Sequence, residues 1–197
     1  AQAFLIGAKF IDGCPVALVL GDNLFHGFDL GLQLAKASKS IEGATVFAYP
    51  VSDPERYGVV EFDQSGHAIT IEEKPINPKS RYAITGLYFY DSSVTEKAKR
   101  VIPSARGELE ITEINQNYLN EGNLKVEVMG SGMAWLDTGT FDSLHEASTY
   151  ISTLERRQGT KVGCPEEVAW RKGWISDKHL VQLARKLEKS GYGKYLM

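Results

Sequence analysis

A run of apolar residues, Val16–Leu20, is followed directly by Gly21, Asp22 and Asn23. An apolar run without alternation predicts a strand buried on both faces, in the middle of a parallel or mixed sheet. Ligands of open α/β sheets bind beyond the carboxyl ends of such strands. A second aspartate, Asp137, follows another short apolar segment. The two aspartates could therefore share one divalent cation, although Asp22 could equally well cap the next turn.

The remaining pattern predicts alternating helices and strands, which is typical of an α/β fold. Strands are expected at residues 44–51, 57–62, 68–73, 82–90, 124–129 and 133–137, and helices at 2–11, 29–39, 92–101 and 110–120. The segment Asp63–Gly66 predicts a hairpin between two of these strands. Gly86 is expected to break strand 82–90.

From Phe141 onward the pattern is mostly helical. Pro165 is expected to open one short helix and Ser176 to cap another. Leu180, Leu183, Ala184 and Leu187 of the latter helix form one apolar stripe. The sequence thus predicts an α/β domain at residues 1–140 and a helical C-terminal extension at residues 141–197.

Composition narrows the classes of function. The chain has 197 residues, of which 43% are hydrophobic and 24% charged, as in globular proteins. A net charge of −3 without a basic run argues against nucleic acid and anionic membranes as partners. There is no apolar segment of membrane-spanning length and no signal peptide, so a cytoplasmic location is expected. Cys14 and Cys164 are isolated and do not suggest a disulfide framework.

Four further motifs lie between the two aspartates, at residues 57–59, 72–75, 84–88 and 105–112. Each has an ordinary structural explanation when it is taken alone. Glu72–Pro75 can be a solvated strand end that proline terminates, and Tyr57–Val59 can be strand packing. Arg106–Glu108 can be a charged turn before a helix.

In this order and spacing, the motifs resemble those of the sugar-phosphate nucleotidyltransferases. Gly21–Asn23 and Glu72–Pro75 resemble motifs found across that family. Segments 106–112, 135–139 and 191–196 are similar to its thymidylyl branch. The resemblance implies a Rossmann-like mixed sheet of the nucleotide-diphospho-sugar transferase type.

The resemblance also implies a reaction. dTTP and glucose 1-phosphate would form dTDP-glucose and pyrophosphate with Mg²⁺ as cofactor, the first step of dTDP-rhamnose synthesis for lipopolysaccharide and other polysaccharides. It further implies a homotetramer, to which the helical extension contributes a subunit interface and a regulatory nucleotide site. Uridylyl and cytidylyl transfer stay open as alternatives, as do a non-catalytic nucleotide-sugar-binding module and a part kept only for oligomer assembly. Retention of Asp22, Lys74, Arg106 and Asp137 argues against the non-catalytic module, because a sensor needs no metal-binding pair.

The roles of individual residues follow from the same resemblance. Asp22 and Asp137 match the Mg²⁺ ligands, Lys74 and Arg106 match the catalytic residues that hold the sugar phosphate, and Glu73 matches an acceptor for sugar hydroxyls. Further substrate contacts are expected at Asn23, Tyr57, Gly58, Ile84, Gly86 and Trp135. Those at Gly58 and Ile84 would involve the main chain, and Trp135 would form an apolar wall.

One family feature has no counterpart in these residues. The glycine-rich loop that holds the triphosphate, and the lysine after it, precede the matched region, and Gly27, Gly31 and Gly43 stand in a different context. The chain is therefore expected to be a fragment, the last two thirds of a family member. Residues 1–197 alone are expected to be inactive and poorly soluble, because Val16–Leu20 would expose one edge.

Overall fold

The computed structural model describes residues 1–39 and 42–197. The chain forms two compact units, Ala1–Asp137 and Thr138–Met197, where the sequence predicts a division after residue 140. The strands of the first unit are β1 (Val16–Val19), β2 (Asn23–His26), β3 (Ala44–Pro50), β4 (Gly58–Phe62), β5 (Ala68–Glu73), β6 (Tyr82–Tyr90), β7 (Leu124–Val128) and β8 (Ala134–Asp137). Its helices are α1 (Gln2–Ile6), α2 (Ala8–Ile11), α3 (Leu30–Ala37), α4 (Val94–Ala98) and α5 (Ile111–Asn120), with a 3₁₀ turn at Pro54–Arg56.

The main sheet is mixed. Its strands follow the order β5-β4-β6-β3-β7, and β1 pairs with β6. The pairing of β3 with β7 is parallel, and the other pairings are antiparallel. β4 pairs with β6 at Tyr82 and Ala83, whereas β1 pairs with it at Leu87–Tyr90. A separate two-stranded sheet joins β2 to β8. This arrangement confirms the expected α/β fold with a mixed sheet.

Alternation along β6 directs side chains into two apolar clusters, one on each face of the sheet. Ile84, Tyr88 and Tyr90 belong to the larger cluster, together with Ile114 and Tyr118 of α5. The ring of Tyr90 stacks on those of Tyr88 and Tyr118, at centroid distances of 6.0 Å and 5.6 Å. The smaller cluster consists of Ala37, Phe47, Leu87, Met129 and Met133.

Strand β1 differs from the expectation of burial on both faces. Val16 and Leu18 are half-buried, whereas Ala17 and Val19 are exposed, and the exposed fraction of Val19 is 57%. Among the described strands, β1 pairs with β6 alone. The continuous apolar run therefore overstated the burial, because one face of this strand is uncovered.

Three other elements also depart from the sequence prediction. Helix 2–11 is two short helices that meet at Gly7. Strand 82–90 continues through Gly86, where a β-carbon would collide with the side chain of Asn23. Helix 92–101 shortens to Val94–Ala98, since Arg100 and Val101 continue in i→i+3 turns. The hairpin at Asp63–Gly66 is confirmed by the antiparallel pairing of β4 and β5.

The second unit consists of the helices α6 (Phe141–Gln158), α7 (Pro165–Arg171), α8 (Asp177–Lys186) and α9 (Gly191–Leu196). Pro165 begins α7, and the Ser176 hydroxyl caps α8 by accepting from the backbone N–H of His179, as predicted. A small core contains Cys164, Ala184 and Leu196, against which Leu180, Tyr192 and Tyr195 pack. Leu187 is exposed, so the predicted stripe packs only partly within the unit. Within the described residues, the helices are too short or too polar to span a membrane.

Candidate active site

The two candidate metal ligands lie at one end of the small sheet. Antiparallel pairing of β2 with β8 places Asn23 opposite Asp137. Asp22 directly precedes Asn23, and its Oδ1 accepts a hydrogen bond of 2.9 Å from Asn23 Nδ2. Two residues that are far apart in the sequence are thus neighbours in the fold.

The Asn23 side chain connects the small sheet to the main sheet. Its Oδ1 accepts from the backbone N–H of Gly86 at 3.0 Å and from Trp135 Nε1 at 2.6 Å. Because these two donors hold the carbonyl oxygen, the Nδ2 group is directed toward Asp22. The orientation of Asn23 is therefore determined from three sides.

Trp135 forms one wall of the site. Its side chain is buried, and its ring packs edge-on against Tyr57 at a centroid distance of 5.0 Å and against Tyr49 at 6.0 Å. Burial raises the pKa of Tyr57 above its ordinary value, so its hydroxyl stays protonated at neutral pH. The Tyr57 carbonyl accepts from the backbone N–H of Lys74 at 2.9 Å, which connects this wall to the next part of the site.

Glu73 is held beside a point of close backbone approach. Gly58 pairs with Glu73 across β4 and β5. A β-carbon on residue 58 would lie 2.9 Å from Thr112 Oγ1 and 3.3 Å from Glu73 Oε2. Thr112, which is buried in the first turn of α5, donates its hydroxyl hydrogen to Glu73 Oε2. Thr112 thus orients the carboxylate, a role that the sequence analysis did not assign.

Arg106 extends from the loop before α5 into a group of carboxylates. Its Nη2 donates to Glu110 Oε1 at 2.8 Å and to Glu73 Oε1 at 3.4 Å, and lies 3.3 Å from Glu108 Oε2. The hydrogen bond to Glu110 raises the pKa of Arg106. Ser104 also donates to Glu110, at 2.8 Å. The guanidinium is therefore oriented beside Glu73 while its side chain remains partly exposed.

The backbone of Lys74 has an unusual conformation. Its φ of 45° is in the left-handed region, which costs a residue with a side chain roughly 1–2 kcal/mol. Its N–H bond to Tyr57 and the buried Pro75 that follows hold this conformation in place.

Burial favours a higher pKa for Glu110, but hydrogen bonds from Arg106 and Ser104 and the charges of Arg106 and Lys74 lower it. The charges of Lys74 and Arg106 thus both act on the Glu110 carboxylate.

Strand β6 contributes two more residues. The side chain of Ile84 is buried in the larger apolar cluster, which leaves its main chain as the part available to a ligand. Tyr88 is buried too, and burial together with the charges of Glu73 and Asp22 raises its pKa far above the ordinary value. Its hydroxyl therefore remains protonated near both carboxylates.

Arg56 is another candidate site residue that the sequence analysis missed, because it lies just outside the motif at residues 57–59. Its Nη1 lies 2.9 Å from Asp53 Oδ2, and its Nη2 lies 3.8 Å from Asp137 Oδ2. The guanidinium carbon is 5.4 Å from the centre of the Tyr57 ring. A cationic group thus stands next to a candidate metal ligand.

The donor set is compatible with Mg²⁺. Among residues 1–39 and 42–197, no three His, Cys, Asp or Glu side chains are grouped as a metal cage. Mg²⁺ is ordinarily bound through one or two carboxylates together with waters and substrate phosphates, rather than in an all-protein cage. The pair of Asp22 and Asp137 fits that pattern.

Comparison with known proteins identifies the family. The model of the nucleotidyl transferase family matches residues 1–153. The chain belongs to the nucleotidyl transferase family. The glucose-1-phosphate thymidylyltransferase of Mycobacterium tuberculosis (strain CDC 1551 / Oshkosh) is 61% identical over 197 residues, which are 100% of this chain and 68% of the relative. That of Neisseria meningitidis serogroup A is 53% identical with the same coverage. The chain thus spans about two thirds of the length of these relatives.

Solved structures agree with this assignment to the nucleotidyl transferase family. A crystal structure from Bacillus anthracis, assigned to glucose-1-phosphate thymidylyltransferase and in complex with a sucrose, is 43% identical with a TM-score of 0.68. The match covers 76% of this chain and 59% of that chain. A UDP-glucose pyrophosphorylase complexed with UDP-glucose shares the fold, with a TM-score of 0.67 at 22% identity, over 77% of this chain and 61% of that one. The expected nucleotidyltransferase fold and thymidylyl branch are confirmed by these relatives.

Proposed function

We propose that the protein transfers a thymidylyl group from dTTP to glucose 1-phosphate and releases pyrophosphate. The observation that carries the proposal is the meeting of two aspartates, Asp22 and Asp137, at one strand end in the same unit as the Lys74–Arg106 pair. The names of the similar proteins support the choice of substrates. Two anionic substrates must approach each other in this reaction, and such a site supplies the positive charge that this approach requires.

The proposed metal site uses the two aspartates. Asp22 and Asp137 would hold Mg²⁺, which supplies charge neutralisation at the reacting phosphates when it is bound. Asn23, fixed by Gly86 and Trp135, would present its Nδ2 group beside the metal as a donor to the nucleotide. No side chain acts as a covalent nucleophile in this account, since a phosphate oxygen of the sugar attacks the α-phosphorus directly.

The proposed sugar-phosphate site is on the other side of Tyr57. Arg106 would bind the phosphate through the planar fork of its guanidinium donors. Lys74 would bind it through its ammonium group, which acts as a point charge. Glu73 would accept hydrogen bonds from sugar hydroxyls, in an orientation set by Thr112. The missing side chain at Gly58 would let the sugar approach the main chain, and Trp135 would cover its apolar face. Positioning and charge together would account for catalysis.

For the second unit we propose a role in assembly. Val168 and Trp174 expose 51% and 74% of their surface and line the same cavity, and contiguous exposed apolar surface marks interaction sites. A cavity of about 340 Å³ nearby is lined by Trp170, Leu180, Val181 and Leu196, among others. These features support a subunit interface in the second unit, and the homotetramer and the regulatory nucleotide site are what the family resemblance implies. A cytoplasmic location and a role in dTDP-rhamnose and lipopolysaccharide synthesis belong to the same proposal.

Nucleotide selection tests the proposed reaction. Pyrophosphate release is measured with glucose 1-phosphate and each of dTTP, UTP and CTP, using the full-length protein. We expect the highest kcat/KM with dTTP. A higher value with UTP or CTP would favour uridylyl or cytidylyl transfer. Binding of nucleotide sugar without pyrophosphate release from any triphosphate would indicate a non-catalytic module.

A further inference from the structure

Arg56 lies between two carboxylates, one in its own turn and one that is a candidate metal ligand. Asp53 belongs to the same turn and is its nearer partner, at 2.9 Å. Asp137 is the candidate metal ligand and is 3.8 Å from the other guanidinium nitrogen. The two nitrogens of one guanidinium thus face the two carboxylates separately.

The surroundings of Arg56 hold it at the site without burying it. Its guanidinium lies over the ring of Tyr57, which in turn packs on Trp135. The Arg56 side chain is 42% exposed, and the Asp53 side chain with which it pairs is 38% exposed. A small rotation about its terminal bonds can therefore move the guanidinium away from Asp137 while the hydrogen bond to Asp53 is kept.

We propose that Arg56 is a positioning residue that neutralises Asp137 until a divalent cation arrives together with the nucleotide. The inference rests on the proposed function, since it takes Asp137 as a metal ligand. A cation bound to Asp137 and a guanidinium at 3.8 Å from the same oxygen repel each other. A metal ion alone therefore binds against the charge of Arg56, whereas a triphosphate supplies anionic oxygens that attract the same guanidinium.

This arrangement makes metal and nucleotide binding cooperative. Without nucleotide, Arg56 opposes the metal ion and keeps its affinity low. When nucleotide is bound, the guanidinium contacts phosphate oxygens and no longer opposes binding of the metal ion. By linkage, the same factor raises the affinity for nucleotide when the metal is present.

The test measures Mn²⁺ binding to the full-length protein by electron paramagnetic resonance, first without nucleotide. In Arg56→Met the stem over Tyr57 is retained and the charge is removed, and we expect Mn²⁺ to bind at least about fivefold more tightly, the effect of two unit charges about 4 Å apart with the screening of bulk water. Arg56→Lys retains the charge and should bind Mn²⁺ within about twofold of the wild type. Unchanged or weaker binding in Arg56→Met would overturn the proposal.

Two further variants separate the possible causes of failure. Asp137→Asn should lose most Mn²⁺ binding, and its full retention would contradict the metal site itself rather than the role of Arg56. Asp53→Asn leaves Arg56 with Asp137 as its partner and should weaken Mn²⁺ binding, and this effect should be smaller in the double variant with Arg56→Met. Equal effects in both backgrounds would show that Asp53 does not act through Arg56, which contradicts the proposal.

The last experiment measures Mn²⁺ binding in the presence of dTTP. In the wild type, dTTP should increase the affinity for Mn²⁺ more than it does in Arg56→Met, after subtraction of the Mn²⁺ that free dTTP holds in solution. An equal increase in both proteins would show that Arg56 does not couple the two ligands.

Discussion

The side-chain amide of Asn23 occupies the space beside strand β6 that a β-carbon on residue 86 would need. Such a carbon would lie 2.6 Å from Oδ1 and 2.7 Å from Cγ of Asn23. Real β-carbons do not approach other atoms so closely. Asn23 can therefore make its hydrogen bonds only because residue 86 has no side chain. Through Asn23, Gly86 also determines where Trp135 and Asp22 lie.

The first prediction is that Gly86→Ala displaces Asn23 and impairs the site. We expect a loss of about 1–3 kcal/mol in the free energy of unfolding from overpacking, and a fall of about 100-fold in kcat/KM, since misplacing a positioning residue by about 1 Å can cost that much. Gly31→Ala is the matched control, because a β-carbon there meets no atom within 4 Å and the residue lies in α3. It should leave kcat/KM unchanged. Equal activity of the two variants would show that Asn23 is not positioned by Gly86.

The second prediction concerns Lys74. Lys74→Ala should lower kcat/KM by about 10- to 100-fold, the loss of one charged hydrogen bond, and should raise KM for glucose 1-phosphate more than KM for dTTP. Lys79→Ala is the control, since Lys79 is an exposed lysine that pairs with Glu61 at 3.9 Å. Glucose without its phosphate should compete poorly. An effect of Lys74→Ala on the KM for dTTP alone would assign Lys74 to the other substrate.

The hairpin and the main strands could be predicted because their signals are local. The turn Asp63–Gly66 lies between its own two strands, and β6 shows its apolar residues within nine consecutive positions. Strand β2 was missed for the opposite reason. It has four residues, its pattern is half-buried throughout, and its partner β8 is at the other end of the first unit.

The residues of the candidate site also include some that local sequence motifs reveal and some that they do not. The sequence motifs contain most of the site residues, because charged residues such as Asp22 and Lys74 lie within motifs that the family shares. Arg56 and Thr112 could not be identified, because their roles depend on distances to residues elsewhere in the chain. Sequence position carries no such distance until strand pairing is known.

The third prediction concerns pH and the carboxylate of Asp91. It accepts from Gly43 N–H at 2.9 Å, from the Ser93 hydroxyl at 2.6 Å and from the Tyr118 hydroxyl at 2.7 Å. Burial would raise the pKa of Asp91, but the hydrogen bonds outweigh it and lower the pKa below its ordinary value of 3.8. A group whose pKa is lower when folded stabilises the fold above its unfolded pKa and loses this contribution as pH falls through the folded pKa.

Asp91→Asn should therefore lower the free energy of unfolding at pH 7 by about 1–2 kcal/mol, after allowance for partial exposure. The difference from the wild type should shrink below about pH 4, where the wild-type carboxylate begins to take up a proton. Urea unfolding at several pH values between 3 and 7 measures both quantities. A difference that stays constant over this range would contradict the account.

The fourth prediction concerns assembly by the second unit. Val168→Asp and Trp174→Ser alter exposed side chains, so each variant should fold but sediment as a smaller species than the wild type. Lys172→Ser, on the same surface segment, is the control. A chain truncated after Thr160 lacks the whole Cys164–Leu196 core and should not form the proposed tetramer. An unchanged tetramer in the truncated chain would refute the interface role.

The central claim is that Asp22 and Asp137 hold the metal ion for thymidylyl transfer. The most direct measurement is the rate of pyrophosphate release from dTTP and glucose 1-phosphate as a function of Mg²⁺ concentration, for the wild type, Asp22→Asn and Asp137→Asn. Asp12→Asn is the control, because Asp12 is exposed in a left-handed conformation that asparagine tolerates. Both site variants should lose about 100- to 1,000-fold in turnover at limiting Mg²⁺ and keep the wild-type unfolding free energy. Turnover of both variants within about threefold of the wild type at limiting Mg²⁺ would contradict the account.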